Sequence, residues 1–181
     1  MKSENTDAPA RTSVRPRTDE DLDACVRVLA AVHESDGYPV NWPDEPGGWL
    51  SQSSLLTAWV AERDGRVVGH VALSRDEPGD LAPGLWRARR DVNAVTAVVS
   101  RLFVAPEARG NGIGALLLTR ASQEAGRRGL HPVLDVVATD RAAAALYERQ
   151  GWQRLATAEQ RWAPDRTVTV HAYAAGTSPA L

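Results

Sequence analysis

Apolar residues change their spacing several times along the chain, and each change marks an element. Val14 to Arg17 reads as a short strand. Leu22, Cys25, Val26 and Leu29 then fall at i, i+3, i+4 and i+7, which predicts a helix with one buried face and places Cys25 in the core. Thr18 suits its N-cap, and Asp19, Glu20 and Asp21 fill the first turn, where the helix dipole favours acids. Leu56–Arg63 and Arg66–Leu73 are two β-rich runs separated by Asp64-Gly65, the signature of a tight antiparallel hairpin. Breakers from Pro78 to Gly84 predict a connection to a third run, Ala94 to Val104, on the same sheet.

Beyond Val104 the period switches. Gly112 to Arg128 predicts a helix with Ile113, Leu116, Leu117 and Ala121 inward and Gly129 as its stop, followed by a strand from Pro132 to Val137. A second helix spans Arg141 to Gln150, capped by Asp140 and ended by Gly151, and two last strands lie at Trp152–Ala156 and Thr167–Tyr173. No internal repeat is visible. The order predicts an α/β (α+β) architecture, a mixed, mostly antiparallel twisted sheet of about six to seven strands flanked by helices with one central βαβ crossover. The expected organisation is a single domain over residues 13–175, with flexible tails at 1–12 and 176–181 that lack an apolar period.

Composition narrows the functional classes. At 181 residues and 43% hydrophobic content the chain can bury one ordinary core. A net charge of −2 gives no general attraction to nucleic acid or anionic membrane, so the expected partner is a small molecule or peptide. Met1 to Ser13 is polar and no apolar run reaches membrane-spanning length, and the lone Cys25 excludes an intramolecular disulfide; these features predict a cytoplasmic protein. Lys2 is the only lysine, a bias that arginine- and alanine-rich bacterial coding explains. His70, His131 and His171 sit in or beside strands and are read as packed or solvent-facing. No set of histidines, acids or cysteines has metal-ligand spacing, so no metal is expected.

The segment Ala105-Pro106-Glu107-Ala108-Arg109-Gly110-Asn111-Gly112-Ile113-Gly114 leaves a strand and opens a helix. Its glycines let the backbone turn and approach a ligand, and the free amides and dipole of the helix start favour a phosphate group. Arg109, Gly112 and Gly114 match the coenzyme motif of the GNAT acetyltransferases: Arg or Gln, two residues, Gly, one residue, Gly or Ala. Leu102–Pro106 resembles that family's strand exit, and Asp140, Ala143, Leu146, Tyr147 and Gly151 sit at its later spacing. The resemblance covers roughly Leu56 to Trp152. It implies a GNAT fold, pantetheine pairing with Leu102, Phe103 and Val104, and pyrophosphate on Arg109, Gly110, Asn111, Gly112, Ile113, Gly114 and Ala115. Gly110-x-Gly112-x-x-Ala115, with Asp135 about twenty residues on, also satisfies a dinucleotide fingerprint. That alternative fits poorly, because Ala105 to Arg109 intervene between strand and glycines and only one βαβ unit is predicted.

Acetyl transfer to an amine needs a deprotonated nucleophile, stabilisation of a developing oxyanion and a proton for the departing thiolate. The resemblance puts Tyr147 at the general-acid position, although a tyrosine beside Leu146 on an amphipathic helix is also an ordinary core residue. It implies a backbone amide near Phe103 or Val104 for the oxyanion. Asp135 interrupts the apolar run Val133–Val137, and its place five residues before Asp140 matches a catalytic glutamate of GNAT enzymes that acetylate protein N-termini. An acid there serves as base, orients the substrate or is paired structurally. Asp140 stands where the family usually has an Asn that contacts pantetheine; it also suits a plain N-cap. His33, Asp36, Tyr38 and Trp42 crowd the irregular stretch His33 to Pro43, which in this family overhangs the acceptor.

The sequence therefore predicts an acetyl-CoA-dependent N-acetyltransferase acting on a primary amine, in a small molecule, peptide or protein N-terminus, by direct attack in a ternary complex. Nothing offers a nucleophile for a covalent acetyl-enzyme. The resemblance allows a homodimer. A non-catalytic acetyl-CoA sensor or interaction module would carry the same motif, and is disfavoured by the retention of Tyr147 and Asp135.

Overall fold

In the computed structural model, residues 10–176 are described; the expected tails fall largely on 1–9 and 177–181, outside those residues. Seven strands form one open sheet: β1 (Thr12–Pro16), β2 (Leu55–Arg63), β3 (Arg66–Ser74), β4 (Thr96–Val104), β5 (His131–Val137), β6 (Gln153–Ala163) and β7 (Arg166–Ala174). Their order is β1-β2-β3-β4-β5-β7-β6. Every neighbouring pair is antiparallel except β4 and β5, which are joined by the crossover helix α4 (Ile113–Arg127). This mixed sheet agrees with the predicted architecture. A doubly wound parallel sheet, which the dinucleotide alternative required, is absent among the described residues.

Alternation along the strands separates two hydrophobic layers. Trp59, Ala61, Val71, Leu73, Val99 and Leu134 point to the face covered by α4 and by α5 (Arg141–Arg149). Val60 and Phe103 point the other way, onto Cys25, Leu29 and Val32 of α1 (Leu22–Asp36). On that same face Val98, Val133, Ala172 and Ala174 meet Trp86 of α3 (Ala82–Arg89). Cys25 is fully buried as expected, and burial pushes its thiol pKa up to about 11. The β2–β3 turn has Asp64 at φ 53° and Gly65 at φ 77°, the double left-handed geometry that Asp-Gly tolerates.

Four expectations need correction. Leu116 is 47% exposed, and Leu118 takes the inward place beside Leu117. Ile113, Leu117, Ala121 and Ala125 recur every four residues with Leu118 alongside, so the buried stripe is rotated away from Leu116. The connection expected over Pro78–Gly84 runs straight into helix α3, where Pro83 occupies the first turn, the one place a helix accepts it. The irregular stretch expected from His33 begins later: α1 runs to Asp36 and ends at Gly37, whose φ of 73° forms a left-handed C-cap, and a short helix α2 covers Pro46–Leu50. Strand β6 also extends seven residues past the expected end at Ala156, to Ala163. Among the described residues no helix is long and apolar enough to cross a membrane.

Candidate active site

The two parallel strands separate. β4 pairs with β5 only over Thr96–Val98 against His131–Val133, and beyond that point their facing edges are free while their outer edges stay bonded to β3 and β7. A cleft of about 700 Å³ opens at this divergence. Its walls are Val99 to Leu102 of β4, Asp135 to Val137 of β5, the start of α5 with Tyr147, and the loop from Asp36 to Asn41, with Trp49 and Trp162 at either side. The cleft thus carries an unpaired strand edge, a feature that can accept another extended chain.

A bulge shapes that edge. Phe103 faces His70 and Ser100 faces Ala72, so Arg101 and Leu102 together oppose the single residue Val71. Arg101 takes φ 51°, a left-handed conformation that costs a non-glycine residue about 1 kcal/mol or more. The surrounding bonds sustain it. Arg17 Nη1 lies 2.9 Å from His70 Nε2, and a guanidinium can only donate, so the ring proton sits on Nδ1 and is given to the Arg101 carbonyl at 2.8 Å. His70 is fully buried and stacked on Phe103 at 5.1 Å, and burial lowers its pKa to about 4.

At the far end of β4 the chain forms the glycine turn. Gly110 and Gly112 have φ of 79° and 73°, and a Cβ on either would meet no atom within 4 Å. The glycines are therefore needed for backbone conformation, and the space beside them is open. The first intrahelical bond of α4 runs from the Leu116 amide to the Gly112 carbonyl at 3.1 Å, which leaves the amides of Ile113, Gly114 and Ala115 at the positive end of the dipole. Gly114 has a different purpose: a Cβ there would stand 3.2 Å from Leu146, so its absence lets α4 pack against α5. Asn111 Nδ2 holds the turn by donating to the Ala108 and Arg109 carbonyls at 3.0 and 3.1 Å. Arg109 bonds Asp36 at 2.5 Å, which holds the Asp36 carboxyl below its ordinary range. The free anion-binding groups of this turn are therefore backbone amides first. The turn, the free β4 edge and the neighbouring Tyr147 fit an extended thioester ending in a pyrophosphate.

Tyr147 lines the cleft with its ring packed against Trp152 and Tyr173, at 6.0 and 5.7 Å between centroids. Its hydroxyl has no hydrogen-bond partner among the described residues, and burial raises its pKa above the ordinary tyrosine value. A phenol whose pKa lies above the ordinary tyrosine value of about 10 is protonated at neutral pH. Asp140 Oδ1 accepts the Ala143 amide at 3.0 Å, so it is the N-cap of α5, and it also lines the cleft. Asp135 Oδ2 and Oδ1 accept the amides of Leu81 and Ala82 at 2.7 and 2.9 Å, which caps α3 from fifty-odd residues away. Burial raises its pKa, with those two amides working in the opposite sense.

Not every expected substrate residue reaches the cleft. Asp36 and Tyr38 line it, and burial pushes the Tyr38 pKa up to about 12. His33 and Trp42 instead pack on each other, at 5.2 Å between ring centroids, with His33 Nδ1 bonded to the Pro39 carbonyl at 2.8 Å. They shape the loop from behind. Among coenzyme candidates Leu102, Arg109 and Asp140 line the cleft, whereas Phe103, Val104 and Gly110 to Ala115 lie outside its lining. Arg101, Trp49 and Trp162 were not expected. A charged residue inside the apolar run Val98–Val104 was the available signal for Arg101; nothing local marks the two tryptophans. His131 stacks on Trp86 at 3.9 Å and His171 bonds Thr157, so both are structural. Among the described residues no three His, Cys, Asp or Glu side chains gather to hold a metal.

Residues 24–152 match the model of the acetyltransferase (GNAT) family. The chain is 36% identical over 131 residues to an IAA acetyltransferase from Azospirillum brasilense, covering 69% of this chain and 76% of the relative. It is also 36% identical over 118 residues to a tRNA N6-adenosine threonylcarbamoyltransferase from Cereibacter sphaeroides; the match takes in 59% of this chain but spans only 32% of that relative. The solved structure of an acetyltransferase from Salmonella typhimurium, with its cofactor acetyl-CoA, has the same fold, with TM-score 0.65 and 21% identity over 90% of this chain and 92% of the other.

Proposed function

Because the chain belongs to the acetyltransferase (GNAT) family, we propose that it transfers the acetyl group of acetyl-CoA to a primary amine bound in the β4/β5 cleft. The observation that carries this reading is the divergence of β4 from β5, which leaves an unpaired strand edge and the Tyr147 hydroxyl on one cleft, with the free amides of the α4 start just beyond the end of β4.

Bound acetyl-CoA supplies an activated thioester and a thiolate leaving group. The free edge of β4 pairs with the pantetheine, and the amides of α4's first turn hold the pyrophosphate, with Arg109 secondary because Asp36 already neutralises it. Backbone amides after the Arg101 bulge take up the negative charge that develops on the acetyl oxygen. The amine nitrogen forms its bond to the acetyl carbon as the carbon–sulfur bond breaks. Tyr147 gives its hydroxyl proton to the departing sulfur and is reprotonated from solvent. Asp135 keeps lone pairs beyond its two amide bonds and has a raised pKa, which suits it to receive the amine proton through a water.

The test is thiol release from acetyl-CoA in the presence of amino acids, polyamines, peptides and aromatic amines. Acceptor-dependent release with the acetyl group recovered on nitrogen is expected. Tight coenzyme binding with no turnover on any amine would favour the sensor reading.

A further inference from the structure

Three arginines line the cleft, and they differ in how their charge is met. Arg109 is bonded to Asp36, and Arg141 is exposed at the rim. Arg101 is half-buried, has no carboxylate partner among the described residues, and makes only one long protein hydrogen bond, from Nε to the Trp49 carbonyl at 3.4 Å. Its guanidinium lies over the Trp49 ring, 4.0 Å from the centroid, which fixes the plane of its fork. Glu77 and Asp80 reach it only through longer-range attraction, and burial lowers its pKa. A half-buried guanidinium whose terminal N–H groups have no acceptor is a poor structural element and a good recognition element, because a planar fork matches a carboxylate in bidentate fashion. The backbone strain at Arg101 and the Arg17–His70 relay behind its carbonyl hold this side chain at one place on the cleft wall.

Resting on the acetyl-transfer reading above, we propose that Arg101 is an anion subsite and that the acceptor is an amine carrying a carboxylate. Its apolar part lies along Trp49, Tyr38 and Trp162, and its amine faces Asp135 and Tyr147. The cleft then holds opposite charges for the two ends of a zwitterion. The acceptor class is an amino acid or related amino-carboxylate with an apolar or aromatic side chain, and a polyamine, cationic throughout, is excluded by Arg101.

Two measurements test this. Calorimetry compares phenylacetate with phenylacetamide as probes of the coenzyme A-bound protein; the carboxylate should bind at least tenfold more tightly, and Arg101→Gln should remove the difference. Thiol release compares phenylalanine with phenethylamine; the amino acid should have at least tenfold higher kcat/KM, and Arg101→Gln should narrow the ratio toward one, chiefly through KM. Arg101→Asn, which tolerates the left-handed backbone, serves as a second variant if the first unfolds. Equal binding of the two probes, or equal preference for the two amines, overturns the proposal. Carboxylate-selective binding without turnover of any amine would uphold the subsite and contradict acetyl transfer.

Discussion

The stretch 102–115, which meets the cleft at Leu102 and Arg109, and the cleft wall at residues 36–41 and Trp49 are built by different means. On the proposed coenzyme side the available groups are backbone: the unpaired edge of β4, two left-handed glycines and the first amides of α4. On the proposed acceptor side they are side chains brought from distant places: Tyr38 and Trp49 from the α1–α2 region, Arg101 from a bulge, Asp135 from β5, Trp162 from β6. Backbone groups need only a local conformation, so a contiguous motif can specify them. Side chains must be held by packing and by one another, as the Arg17–His70–Arg101 relay holds the bulge.

The largest expected effect falls on the relay. The His70 pKa is lowered to about 4 in the folded protein, below its unfolded value of 6.5, so the stability it contributes is fully present above pH 6.5 and is lost as pH falls toward 4. The loss should be on the order of 3 kcal/mol, and urea titrations across that window should show a slope that His70→Asn flattens. A wild-type stability constant from pH 6.5 to 4 would break the claim. Next, Gly112→Asp should weaken acetyl-CoA binding by roughly 100-fold in calorimetry, since it strains a residue at φ 73° and sets a negative charge where phosphate is held. Tyr147→Phe should leave that affinity nearly unchanged and reduce turnover by about 100-fold at neutral pH, with the defect shrinking in alkali as a thiolate of ordinary pKa about 8.5 departs unaided. The smallest effect is at Arg109. Because Asp36 already neutralises it, Arg109→Ala should cost only a few-fold in coenzyme affinity, and a loss as large as that of Gly112→Asp would move the site's weight from backbone to side chain.

How much could be read from the chain follows the same division. The hairpin at Asp64-Gly65, the crossover through α4, the capping of α5 by Asp140 and the glycine turn are all local, and each was legible. Helix α3 was hidden because Pro83 and Gly84 signal breaks, while the cap that stabilises its start is the Asp135 carboxylate on another strand. The same long-range bonds give Asp135 a structural task that its place in an apolar run could suggest but not define. His33 and Trp42 look like binding residues in a loop, yet α1 extends under them and turns their rings onto each other. Trp162 was lost with the second half of β6, where alternating polar residues on an edge strand carry little apolar signal.

The central claim, that the β4 edge and the α4 start hold acetyl-CoA in the cleft, is tested most directly by following backbone amide resonances as acetyl-CoA is added. The largest shifts are expected at Leu102 to Val104 and Gly110 to Ala115, with little change at Leu81 and Ala82, whose amides are committed to Asp135. Absence of binding, or shifts confined to β6 and β7 with the glycine turn unmoved, would contradict the account.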